Sequence, residues 1–136
     1  MEVTVNKVLV VEDEPDNAKM MSRMLRMRGF EVALAADGNT AVEMARSQRP
    51  DIIVMDLLLV GGIDGSEATR QIKSDPATRM IPIIMLSASQ LASFQNEAFQ
   101  AGAQDVDTKP VDFDRLIEKL QALLTSGRPT HSGFPD

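Results

Sequence analysis

One pattern constrains this chain more than any other: short apolar, β-branched runs alternate five times with longer stretches of helical period. Lys7–Val11 is apolar after its first residue, as a strand buried on both faces must be. Pro15 suits a first helical turn, Ala18, Met21 and Leu25 follow at helical spacing, and Gly29 stops the helix. Glu31–Ala35 reads as a second strand. Asp37-Gly38 turns into a helix running to about Gln48, with Ala41, Val42 and Ala45 inward, and Arg49-Pro50 ends it. A third strand spans Asp51–Asp56. After a loop holding Gly61 and Gly62, Asp64 caps a helix with Glu67 three residues on, the spacing of a capping box, and Ala68 and Ile72 inward. Asp75-Pro76 terminates that helix. Ile81–Leu86 is a fourth strand; Leu91, Phe94, Ala98 and Ala101 share one face of a fourth helix closed by Gly102. Gln104–Thr108 is a weaker fifth strand, and Asp112 caps a last helix carrying Leu116, Ile117, Leu120 and Leu123.

Strand–helix alternation of this kind implies an α/β, doubly wound architecture: a parallel sheet with helices on both faces and right-handed crossovers. Residues 1–126 suffice for one such domain, whereas 127–136 are rich in Gly, Pro, Ser and Thr, lack any period and read as a disordered tail. That tail holds the only histidine, His131, which makes a catalytic histidine implausible. The methionines Met20, Met21, Met24 and Met27 are explained by core filling and helix propensity without invoking a metal. With no cysteine, thiolate metal sites and disulfides are excluded, and a cytoplasmic setting is expected. No apolar run approaches the roughly 20 residues of a membrane span, and no signal peptide is expected at the N-terminus. A net charge of −6 disfavours a nucleic-acid partner.

In open parallel sheets, ligands bind at the carboxyl ends of the strands. Glu12, Asp13 and Glu14 follow the first strand, Asp56 ends the third, Ser87 follows the fourth, and Lys109-Pro110 follows the fifth. Crowded carboxylates repel, and a divalent cation relieves that repulsion. Oxygen donors without His or Cys point to Mg²⁺, Ca²⁺ or Mn²⁺, and the small number of carboxylates favours Mg²⁺. A carboxylate can act as nucleophile toward phosphorus, while a metal, an ammonium and a hydroxyl neutralise the phosphoryl oxygens. On this reading Asp56, alone at the end of the central strand, is the phosphoacceptor. Asp13, with Glu12 nearby, holds Mg²⁺ together with Asp56 and the backbone carbonyl of Leu58. Lys109 bridges to the phosphoryl group and Ser87 donates to it.

These segments together (Val8 to Glu14, Asp51 to Gly65, Ile83 to Ala88, and Gly102 to Pro110) resemble the receiver domain of two-component response regulators, in register over about residues 5–125. The resemblance implies a flavodoxin-like (βα)5 fold with strand order 2-1-3-4-5. It also implies phosphoryl transfer from a histidine kinase or histidine phosphotransfer protein, and output through the face of the fourth helix, fifth strand and fifth helix, where Phe99 lies off the inward stripe. It is compatible with a monomer or a phosphorylation-dependent dimer, and it implies a signalling domain rather than an enzyme.

The sequence departs from that family in three places. Val60 stands where proline is common, in a loop that reads one residue longer. Val106 replaces the usual aromatic switch, so ring rotation there is impossible. The acidic pair is Glu12-Asp13 rather than two aspartates, with Glu12 acting through a water. The residues two beyond Asp56 and two beyond Ser87 are Leu58 and Ser89. By the same resemblance they position the hydrolytic water, and an apolar Leu58 cannot do so, so slow self-dephosphorylation is expected. Two other readings fit less well. A receiver-shaped interaction module that is never phosphorylated would not need the complete set Asp13, Asp56, Ser87 and Lys109. An aspartyl-nucleophile phosphatase needs a second acid where Leu58 stands.

Overall fold

The structure, a computed structural model, describes residues 4–88 and 91–126. The expected tail with His131, and Ser89, lie outside the described residues. Among the described residues ten elements alternate strictly: β1 (Lys7–Val11), α1 (Pro15–Met27), β2 (Glu31–Ala35), α2 (Gly38–Gln48), β3 (Ile52–Asp56), α3 (Gly65–Ser74), β4 (Ile83–Ser87), α4 (Ala92–Ala101), β5 (Asp105–Thr108) and α5 (Phe113–Ser126). The strands form one parallel sheet in the order β2-β1-β3-β4-β5.

The period-2 alternation of side chains divides the core into two layers. Val8, Val10, Ile52, Val54, Ile84 and Leu86 meet α1 and α5 through Met21, Leu25, Leu116 and Leu120. Leu9, Val11, Ile53, Met55, Ile83 and Met85 meet α2, α3 and α4 through Ala41, Ala45, Ala68, Ile72 and Ala98. β3 and β4 are buried along their whole length, and each fully buried Ile or Leu there stabilises by about 1.5–3 kcal/mol. Asp56, the polar end of the most central strand, is thus delivered by an apolar run that has nowhere else to go.

Asp64 and Asp112 cap their helices as the sequence expects, and Asp37, expected only in a turn, caps α2 as well. The carboxylates of Asp37 and Asp64 accept from Thr40 N–H and Glu67 N–H at 2.7 and 2.8 Å. The capping box is only half formed, because the Glu67 carboxylate turns along its own helix to Arg70 and Gln71. Three boundaries shift inward. β3 starts at Ile52 because the Asp51 carboxylate accepts from Lys7 N–H. β4 runs Ile83–Ser87, since Ile81 N–H closes a turn onto Thr78. β5 starts at Asp105. Leu91 does not join the inward stripe of α4; it precedes the first turn and is 62% exposed, leaving Ala98 and Ala101 as the buried residues of that helix. Val42 is only partly buried, and of the methionines in α1, Met21 fills the core while Met20 and Met27 face outward as helix formers. No described helix is long and apolar enough to cross a membrane.

Candidate phosphoacceptor site

Register brings the strand ends to one rim. Val11 pairs with Met55 and Asp56 with Leu86, so Glu12 and Asp13 leave β1 beside the end of β3. Ser87 pairs with Thr108, and Lys109 N–H donates to the Ser87 carbonyl at 2.9 Å, which places Lys109 at the same rim. The Lys109-Pro110 bond is cis.

Glu12, Asp13 and Asp56 each present a carboxylate oxygen, all within 4.8 Å of one another. Glu12 and Asp56 are buried and Asp13 half-buried. The Lys109 Nζ donates to Asp56 Oδ2 at 2.9 Å and to Glu12 Oε1 at 3.3 Å, joining the two buried acids. Burial pulls the Lys109 ammonium down, but the hydrogen bond and charge of Asp56, with the charge of Glu12, more than offset it, and its pKa rises. Burial raises the Glu12 pKa, helped by the Asp56 charge, against the Glu14 N–H and the Lys109 charge, which lower it. Backbone donors order the rest: Glu14 N–H to Glu12 Oε2 at 3.1 Å, Leu58 N–H to Asp56 Oδ1 at 3.3 Å, and Val60 N–H to Asp13 Oδ2 at 3.1 Å. Glu14 turns away from the cluster and caps α1, accepting from Asn17 N–H.

The donor set suits a hard divalent cation. It is all oxygen, two of the three acids are buried, and a single ammonium is shared between them. Ser87 is buried at the end of β4. The Leu58 side chain is 61% exposed and contributes only backbone to the site. Val106 is buried in the layer with Met85 and Ala98, a core residue with no ring to rotate.

Sequence reasoning found the side chains of the cluster but missed two backbone features. One is the Val60 N–H on Asp13, whose only signal was a residue with an N–H where proline is common. The other is Gly65, where a Cβ would overlap the Asp56 carbonyl oxygen and lie 2.9 Å from Leu57 Cα. The first glycine after a loop that returns to the end of its own strand is a usable cue for such close approach.

A family model, the response regulator receiver domain, matches residues 8–121. The chain is 33% identical over 118 residues to PilH of Pseudomonas aeruginosa, covering 87% of this chain and 97% of PilH. It is 35% identical over 117 residues to the response regulator PleD of Caulobacter vibrioides, where it spans only 26% of that protein. Among solved structures, it is similar to the receiver domain of a Pseudomonas aeruginosa sensor histidine kinase that has a magnesium ion coordinated in its active-site cleft. That match has a TM-score of 0.83 and 38% identity, and covers 90% of this chain and 99% of the other. Chemotaxis response regulator CheY4 of Vibrio cholerae matches with a TM-score of 0.82 and 30% identity, over 88% of this chain and 99% of its own. The sheet order, the acidic cluster at its carboxyl rim and these likenesses agree: the chain belongs to the response regulator receiver domain family, whose members are phosphoaccepting signalling modules and not enzymes in the ordinary sense.

Proposed function

We propose that Asp56 accepts the phosphoryl group, from a histidine kinase or histidine phosphotransfer protein, with Mg²⁺ held by Glu12, Asp13, Asp56 and the backbone carbonyl of Leu58. One observation carries the reading: a buried carboxylate ends the central strand with an ammonium 2.9 Å away and two further acids within cation-sharing distance. When bound, the cation neutralises charge on the phosphoryl oxygens. The residues supply the rest. An Asp56 oxygen forms the O–P bond as the donor's N–P bond breaks, and the departing imidazole takes up a proton. The Lys109 ammonium moves from its present partners toward a phosphoryl oxygen, and the Ser87 hydroxyl donates to another. An apolar groove of about 540 Å³ beside Lys109, walled by Met20, Met21, Val111 and Phe113, supports docking of a protein donor at this rim. Output runs through the face of α4, β5 and α5, where Phe99 is 47% exposed. The reading also places the chain in the cytoplasm, alongside such donors.

The test is labelling with acetyl phosphate or a phosphorylated histidine kinase in the presence of Mg²⁺, followed by mass mapping. One base-labile phosphoryl group should map to Asp56, disappear in Asp56→Asn and form far more slowly with Mg²⁺ chelated. Undiminished labelling of Asp56→Asn refutes the assignment.

A further inference from the structure

We infer that the backbone N–H of Val60 positions Asp13 for the cation and thereby sets the affinity of the site. The inference rests on the phosphoacceptor reading, since it takes Asp13 as a ligand.

The three acids are not held alike. Glu12 is fixed by Glu14 N–H and Lys109, and Asp56 by Leu58 N–H and Lys109. Among the described residues Asp13 pairs with no Lys or Arg, and its carboxylate accepts one hydrogen bond, Oδ2 from Val60 N–H at 3.1 Å, across 47 residues of chain. A carboxylate with one oxygen held and the other open is the arrangement a singly coordinating ligand of a hard cation needs, because the hydrogen bond fixes its orientation before the cation arrives.

The loop between β3 and α3 is built to present that N–H. Its neck is closed by Gly65 N–H on the Leu57 carbonyl at 3.0 Å. Its far side rests on the start of α2, where Gly38 leaves room for Ile63 and Gly62 for Asn39. Gly61 and Gly62, at φ of 80° and 132°, turn the chain back directly after Val60. The Val60 side chain is 74% exposed and packs little, so its contribution to the site is its backbone donor. A proline at this position has no N–H to give.

The experiment is Mg²⁺ titration of the unphosphorylated chain by calorimetry, with a melt of each variant to verify folding. Val60→Ala keeps the N–H and should bind like the wild type. Val60→Pro, and the chain carrying the α-hydroxy analogue of valine at 60, which replaces the N–H by an ester oxygen, should bind about tenfold more weakly. That is the lower end for outer-shell partners of metal ligands, as suits a bond open to water. In the wild type, hydrogen exchange at the Val60 amide should hold its rate or slow as Mg²⁺ is added. Wild-type affinity in the ester chain, or faster exchange at Val60 on adding Mg²⁺, overturns the inference while leaving the phosphoacceptor reading standing. If Val60→Pro does not fold, the ester chain decides. A wild type that binds no Mg²⁺ sinks the metal part of that reading and this inference together.

Discussion

Gly65→Ala is a one-carbon change that should damage both the fold and the chemistry. The added Cβ would overlap the Asp56 carbonyl oxygen and sit 2.9 Å from Leu57 Cα and 3.0 Å from the Asp56 carbonyl carbon. Carbon–carbon contacts rest at about 3.5–4.0 Å, so the start of α3 must retreat from the end of β3 by roughly 1 Å. Every close neighbour is main chain, so no flexible side chain can yield instead. The retreat stretches the 3.0 Å bond from Gly65 N–H to the Leu57 carbonyl. Overpacking costs about 1–3 kcal/mol and a weakened hydrogen bond about 1 kcal/mol, offset by about 1 kcal/mol of helix propensity, which leaves a net loss near 2 kcal/mol. With an unfolding entropy of about 2.1 cal/mol/K per residue, that loss lowers Tm by roughly 7 °C for a chain of this size. The same shift displaces the carboxylate of Asp56, and a misplacement of about 1 Å can slow a reaction by about a hundredfold. Chemical denaturation and the rate of phosphorylation by acetyl phosphate measure the two effects. Gly29→Ala, at the end of α1 away from the rim, is the control: its φ is 94° but nothing lies within 4 Å of the added carbon, so it should lose stability while retaining most of the rate. A Gly65→Ala chain with wild-type stability and rate would show that the close approach constrains nothing.

Two further outcomes follow from particular residues. Burial of Lys73, whose Nζ donates to the carbonyls of Arg79 and Ile81, lowers its pKa from 10.5 to about 8. Between those values the folded chain holds fewer protons than the unfolded one, so stability should rise with pH from about 8 to about 10.5 and level off outside that window. Denaturation across this range should show the rise in the wild type and a flatter curve in Lys73→Met; equal slopes refute it. Leu58 offers an exposed apolar side chain at the rim, so the phosphorylated chain should hydrolyse slowly in Mg²⁺ buffer, and Leu58→Asn should shorten its lifetime. A wild-type half-life of seconds contradicts this.

Much of the fold was legible in the sequence because its signals are local. The β-branched runs, the helical spacing of Ala18, Met21 and Leu25, and the caps Asp64 and Asp112 each act within a few residues, and each appears where its pattern placed it. Errors cluster where local pattern meets a neighbour. Leu91 has the spacing of an inward residue but lies ahead of the first turn of α4, and Asp51 directly precedes the apolar run of β3 in sequence yet stays outside the strand and spends its carboxylate on Lys7 N–H.

By itself, the order of residues determined the alternating architecture and which side chains reach the carboxyl rim of the sheet, since strand direction alone delivers Asp13, Asp56, Ser87 and Lys109 to one edge. Only the tertiary structure decided the distances and the charge balance there. The Lys109 bridge between Glu12 and Asp56 depends on register across β1, β3 and β5, and the raised pKa of Glu12 depends on burial by residues far along the chain. The donor on Asp13, and the one on Asp56 besides Lys109, are main-chain N–H groups, which every residue but proline possesses. Their usefulness is a matter of where the backbone runs, and that is settled by the packing of α2, α3 and the β3–α3 loop together.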